Sequence, residues 1–167
     1  IGRGVVAPGP SAPPLAGSTP FWEMAVGAAE VSVDTETGAV RVERYASITD
    51  VGRAINPLLL EGQDEGGVVQ GLGHTLFEEM VYTDGHLVNG TLLLYRVPRA
   101  DDVPDLACRF VENADGAGPF GAKGAGEGSL VPVGPAVANA LARLTGVRLR
   151  ELPLTPERLW RALRARG

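Results

Sequence analysis

Cysteine, histidine, aromatic residues and long apolar runs are all scarce in this 167-residue chain, and each scarcity removes a class of function. Cys108 is the only cysteine, so a single copy cannot build an internal disulfide, a cysteine-ligated iron–sulfur cluster or a thiolate zinc site. Within LACRFVE it reads as a small apolar residue on a strand. The two histidines, His74 and His86, are far apart and lack metal-ligand spacing, so they read as structural or surface residues. Aromatics make up 5% of the chain and the net charge is -5, which leaves no basic stripe interleaved with stacking side chains for nucleic acid. No apolar run approaches the roughly 18 residues of a membrane span, and the N-terminus lacks a charged region followed by an apolar one. The chain reads as soluble and cytoplasmic, without nucleic-acid or membrane partners.

Glycine and proline, by contrast, are abundant: 23 and 13 residues, with neither a collagen period nor a low-complexity repeat. Order is therefore expected in shaped loops more than in long regular elements. The chain opens on Ile1 rather than methionine, as a processed, truncated or partial chain would. Residues 1–20, with Pro8, Pro10, Pro13, Pro14 and Pro20 among Gly, Ala and Ser, read as an extended segment without a core of its own. Residues 21–167 read as one α+β unit, long enough for a real core.

Strand-like alternation from Trp22 to Asp34 and from Ala39 to Ile48, separated by Thr35-Glu36-Thr37-Gly38, predicts a β-hairpin. Asn56 is a helix cap and Pro57 suits a first turn; the helix is expected to run to about Tyr82, with Val69, Leu72, Leu76 and Met80 as its core stripe. His86–Arg96 and Leu106–Glu112 read as strands, with the proline-punctuated VPRADDVPDL between them. Val133–Leu144 reads as a helix, and a last one follows Thr155 and Pro156. Its C-terminal arginines complement the helix dipole. The expected architecture is a β-hairpin and short strands packed with a glycine-rich helix and two C-terminal helices.

Two stretches do not follow from fold alone. The long helix carries Gly62, Gly66, Gly67, Gly71 and Gly73, which together cost about 4–5 kcal/mol if all are helical. Such spacing serves either tight packing against another element or close approach of a flat ligand. The second stretch is GPFGAKGAGEGSLVP, where Lys123 and Glu127 stand among glycines and small residues. A Walker loop needs Ser or Thr directly after its lysine, and Gly124 occupies that place; the dinucleotide fingerprint does not fit either. Glu127 then either complements the dipole of the next helix or acts chemically, as a carboxylate that a reacting atom can reach because Gly126 and Gly128 flank it. A base needs something acidic to act on, and with no metal cluster in the chain that implies a bound cofactor.

GAKGAGEGSLVPVGPAVANAL resembles the C-terminal signature of the molybdenum hydroxylases, the family of xanthine dehydrogenase, aldehyde oxidoreductase and the aerobic carbon monoxide dehydrogenase large subunit. DVGRAINPLLLEGQDEGGVVQGLGHTLFEE resembles the family's preceding glycine-rich helix, and YRVPRADDVPDL and LPLTPERLW fit as well. The resemblance covers the chain from about Phe21 onward and implies the C-terminal part of a molybdopterin-binding catalytic domain. It implies an oxidoreductase that hydroxylates an aldehyde, an N-heterocycle or a CO-like substrate with oxygen from water. Glu127 matches the general base that activates a molybdenum-bound hydroxyl. Lys123, Gly124, Ala125 and Gly126 match the segment whose backbone approaches the molybdopterin, and Gln63 matches a glutamine near the molybdenum and pterin. No direct metal ligand is implied. The cofactor implied is molybdenum with molybdopterin, plain or as its cytosine dinucleotide, with 2Fe-2S and FAD groups on iron–sulfur and flavin partner subunits. Catalytic subunits of the family are several times longer, so an upstream molybdopterin-domain chain or segment is an expected partner, and the isolated chain is expected to be inactive. The alternatives are a catalytically silent assembly or interaction remnant of such an enzyme and a ligand-binding module that shares only the glycine pattern.

Overall fold

The alternation that predicts the opening hairpin also decides which face of the sheet is buried. In the computed structural model, residues 22–166 are described; the extended segment expected at residues 1–20 lies outside them. In chain order the elements are β1 (Ala25–Val33), β2 (Val40–Asp50), α1 (Pro57–Leu76), β3 (Tyr82–Thr83), β4 (His86–Leu87), β5 (Asp105–Val111), α2 (Val133–Thr145) and α3 (Pro156–Arg164). β1 and β2 pair antiparallel through the predicted turn, where Asp34 Oδ1 accepts the Glu36 N–H at 2.9 Å and Gly38 takes a φ of +77°. β5 pairs parallel to β2, which requires a crossover, and α1 supplies it. The sheet order is β1-β2-β5. The mixed α+β architecture matches the expectation.

The core lies between one face of this sheet and the helices. Val42 and Tyr45 from β2 meet Val68, Leu72 and Leu76 of α1, Val133, Val137 and Leu141 of α2, and Leu154 and Leu159 around the start of α3. Cys108 is buried in β5 as expected, and burial pushes its thiol up to about 11, which keeps it protonated and unreactive. Both predicted caps form: Asn56 accepts from the Leu59 N–H at 3.2 Å, and Thr155 accepts from the Arg158 N–H at 3.2 Å. Among the described residues no helix is long and apolar enough to cross a membrane.

Two boundaries differ from the sequence expectation. α1 ends at Leu76 rather than near Tyr82, because tertiary contacts draw the chain away. Gly73, lacking a Cβ, leaves room for the Glu78 carboxylate to fold back against the helix; Glu78 accepts from the Tyr95 hydroxyl at 2.7 Å, and Arg96 stacks 4.2 Å from the Phe77 ring centre. Met80, off the helix, is 61% exposed, and Val68 takes the core position expected of Val69. The strand expected over His86–Arg96 is only His86–Leu87, paired with Tyr82–Thr83 across an Asp84-Gly85 turn. Beyond it Leu92, Leu93 and Leu94 meet no neighbouring strand among the described residues, and turns close on the Thr91 carbonyl instead.

The other four α1 glycines fall into two pairs. An added Cβ at Gly71 would lie 2.6 Å from Val133 Cγ2, and one at Gly67 would collide with Ser129 Oγ, so these two let α2 and the preceding turn pack against the helix. At Gly62 and Gly66 an added Cβ would meet nothing within 4 Å among the described residues. Gly66→Ala is therefore expected to stabilise the chain by up to ~1 kcal/mol, since only helix propensity changes, whereas Gly71→Ala is expected to destabilise it by about 1–3 kcal/mol through overpacking. Chemical denaturation of the two variants checks the opposite signs.

Candidate functional site

The glycine loop is two structures joined at Lys123. Its first half is welded to itself and to the end of β2. The Gly116 N–H donates to the Gly121 carbonyl at 2.9 Å, Gly118 to Ala122 at 3.0 Å, Ala114 to Gly52 at 2.7 Å, and Lys123 to Val51 at 2.9 Å. Glycines 52, 116 and 121 are required there, because a Cβ on any of them would strike a backbone carbonyl. The Lys123 ammonium is also turned inward, 2.6 Å from Asp50 Oδ2 and 2.9 Å from Asp115 Oδ1, with its side chain 4% exposed. Lys123, expected to offer its backbone to a cofactor, thus has both its amide and its side chain engaged inside the chain. Burial alone would raise the Asp50 pKa, but the hydrogen bonds from Lys123 and the Gly52 amide, with the lysine charge, outweigh it and hold the carboxyl below its ordinary value. Burial opposes the charge on Lys123, and its two carboxylate partners overcome that and raise its pKa.

The second half, residues 124–127, is open. Gly124, Gly126 and Glu127 are exposed, Ala125 is half-buried, and an added Cβ at Gly126 would meet nothing within 4 Å among the described residues. α1 holds this half at two successive residues. Gln63 Nε2 donates to the Gly126 carbonyl at 2.7 Å, and Gln70 Nε2 donates to Glu127 Oε1 at 3.0 Å. Gly62, Gly66 and Gln70 follow one another at spacing four, so both open glycines lie on the same helix face as the glutamines. Glu127 sits at the head of the short turn Gly128–Leu130, yet its side chain makes no capping bond there. The sequence-predicted residues Gln63, Gly126 and Glu127 are brought together by the two glutamine hydrogen bonds.

Beneath this surface lies a buried polar layer that the sequence reading did not pick out. Asp64, next to Gln63 but on the inner face of α1, accepts from the Ser47 hydroxyl and, at 2.9 Å, from the Thr49 hydroxyl. Its carbonyl accepts from Ser129 Oγ at 3.0 Å. Asp64 thereby ties the helix to β2 and to the turn after Glu127, which fixes the loop from below. Alternation alone would turn Ile48 inward, yet Ile48 is 49% exposed while Ser47 and Thr49 face the helix, so the pattern of β2 gives no signal for this layer. Glu23 stands beside the same layer. Its partial burial, then the charges of Asp64 and Asp50, raise its pKa. A carboxyl whose folded pKa is raised contributes stability only while protonated, and that contribution is lost as pH rises. Glu23→Gln is accordingly expected to raise the melting temperature at pH 7 and to leave it unchanged near pH 3, which thermal scans at the two pH values check.

A backbone-lined face at Gly62, Gly66 and Gly126, with an amide at each side and a carboxylate at its edge, suits a flat polar ligand recognised by hydrogen bonds more than by packing. Among the described residues no group of three or more His, Cys, Asp or Glu is placed to hold a metal ion. The open glycines and the two amides fit a pterin, which presents ring edges rich in donors and acceptors.

The geometry is that of an open, glycine-lined helix face beside a polar loop in a mixed α+β domain. Residues 10–104 match the family of molybdopterin cofactor-binding domains, and the chain belongs to that family. It is 39% identical over 140 residues to the xanthine dehydrogenase molybdenum-binding subunit of Escherichia coli O157:H7, an alignment covering 83% of this chain and 19% of that protein. It is 40% identical over 149 residues to the nicotine 6-hydroxylase large subunit of Paenarthrobacter nicotinovorans, covering 87% of this chain and 18% of that one. Among solved structures, quinoline 2-oxidoreductase from Pseudomonas putida 86 superposes with a TM-score of 0.72 at 40% identity, over 81% of this chain and 18% of that chain. Aldehyde oxidoreductase from Desulfovibrio gigas gives a TM-score of 0.75 at 36% identity, over 81% and 15%. The chain spans less than a fifth of the length of each of these relatives.

Proposed function

We propose that residues 21–167 form the C-terminal part of a molybdopterin-binding catalytic domain in a molybdenum hydroxylase, with Glu127 as its general base. The observation that carries this reading is the placement of Glu127: an exposed carboxylate beside an open glycine face, held by Gln70 and not used as a helix cap. Gln63, Gly62, Gly66 and Gly126 would line the pterin, with the Gln63 amide oriented by its bond to the Gly126 carbonyl. When bound, the cofactor would supply the oxidising equivalents and the site of oxygen transfer. The chain's own task is then to take a proton at the free Glu127 oxygen from the water-derived oxygen that enters the substrate. The substrate is a small molecule of the aldehyde, N-heterocycle or CO-like class.

The rest of the pocket would come from an upstream part of the domain, and iron–sulfur and flavin groups from partner subunits. The exposed leucines support a docking role toward that upstream part: Leu92, 81% exposed, lines one surface with Met80 and Leu87, and Leu93 is 91% exposed, in a chain less than a fifth as long as its relatives. The test is molybdenum content and turnover of the complex purified with its co-purifying subunits. About one molybdenum per chain, with turnover abolished and metal retained in Glu127→Ala, is the expected result. Retained turnover in that variant would remove Glu127 from the chemistry, and absence of molybdenum from the wild-type complex would leave a silent assembly remnant as the better reading.

A further inference from the structure

We infer that Gln70 is a positioning residue, which fixes the Glu127 carboxylate by donating to one oxygen and thereby assigns the proton-accepting role to the other. The inference rests on the reading of Glu127 as a base, and it concerns a residue that the glycine-helix resemblance did not single out. Glu127 follows Gly124, Ala125 and Gly126, a stretch with little side-chain packing to hold it, and it takes no capping bond from the turn that follows. Left alone, a glutamate there would sample many rotamers. α1 removes that freedom at two points seven residues apart on one helix face. Gln63 fixes the Gly126 carbonyl at 2.7 Å, and Gln70 fixes Glu127 Oε1 at 3.0 Å. The backbone clasp orients the peptide, and the side-chain clasp orients the carboxylate. A carboxylate with one oxygen engaged by an amide N–H keeps the lone pairs of the other oxygen free. Gln70 itself lies on the same face as Gly62 and Gly66, so it is rooted in the rigid helix and not in the loop it restrains.

Two variants test this. Gln70→Met keeps length and helix propensity and removes the donor; Gln70→Glu keeps shape and polarity at an exposed helix position and replaces the donor by a like charge. In the 167-residue chain, carbodiimide labelling of Glu127 followed by mass spectrometry reads the freedom of the carboxylate without any cofactor. In the assembled, molybdenum-loaded enzyme, kcat and KM read its placement. The expected result is faster labelling in Gln70→Met, a fall in kcat on the order of 10- to 100-fold with KM little changed, and a larger fall in Gln70→Glu. A structural role would rank the variants the other way, with the polar Glu tolerated better than Met at an exposed site. Unchanged labelling and unchanged kcat in both variants would overturn the inference, as would faster labelling with full kcat. Failure of the base assignment is separate: it is read from turnover in Glu127→Ala.

Discussion

Glu127→Gln is expected to lower kcat of the assembled enzyme by about 10²- to 10⁴-fold, the usual contribution of a positioned general base, while leaving fold and cofactor content intact. The substitution is close to isosteric. Its amide oxygen can still accept from Gln70 Nε2, as Glu127 Oε1 does at 3.0 Å, so the hydrogen bond to α1 survives. What disappears is the basic lone pair on the second oxygen, where the variant carries an NH2. Glu127→Asp should be intermediate, because it keeps the charge but draws it back by one methylene from a donor fixed on a rigid helix. Steady-state turnover of any substrate that the wild-type assembly oxidises, together with metal analysis of each variant, is the measurement. A kcat for Glu127→Gln near the wild-type value at equal molybdenum content would sink the base assignment.

The sequence was most legible where one local rule decided the outcome. The hairpin around Asp34–Gly38, the Asn56 and Thr155 caps and the buried Cys108 all followed from residue type and alternation, and all form. Boundaries set by distant residues were not legible. Nothing in HTLFEEM announces a helix end, which depends on Tyr95 and Arg96 some twenty residues away. The alternation of His86–Arg96 predicted a strand, but a strand needs a neighbour, and Leu92–Leu94 have none among the described residues. Pattern also could not divide the α1 glycines: Gly67 and Gly71 serve packing, whereas Gly62 and Gly66 meet no neighbour among the described residues, so packing accounts for only one pair. At the candidate site, Glu127 was singled out by its glycine neighbours and Gln63 and Gly126 by motif resemblance, and the fold brings the three together. Gln70 and Asp64 were missed because their roles arise only when the helix and the loop are brought together.

The largest expected loss of stability lies at the joint of the glycine loop. Lys123 and Asp50 form an ion pair whose side chains are 4% and 9% exposed, at 2.6 Å. Removing one member leaves the other charge buried without compensation, so Lys123→Met is expected to cost about 3–5 kcal/mol. For a domain of this size that corresponds to a drop of roughly 6–20 °C in melting temperature. The pH dependence identifies the cause. The Asp50 pKa is lowered in the folded chain, so its contribution is present above the ordinary value of 3.8 and is lost as pH falls through the folded value. The Lys123 pKa is raised, so its contribution is present below the ordinary 10.5 and is lost as pH rises through the folded value. The wild-type chain should therefore hold a plateau of stability between those limits, and Lys123→Met should lower the plateau and soften both edges. Adding Asp50→Leu to Lys123→Met should recover much of the loss, because the orphaned carboxylate is what destabilises the single variant. Equal melting temperatures for the single and double variants would show instead that the lysine acts through packing of its stem, and that the loop joint is held by the backbone bonds of Ala114, Gly116 and Lys123 alone.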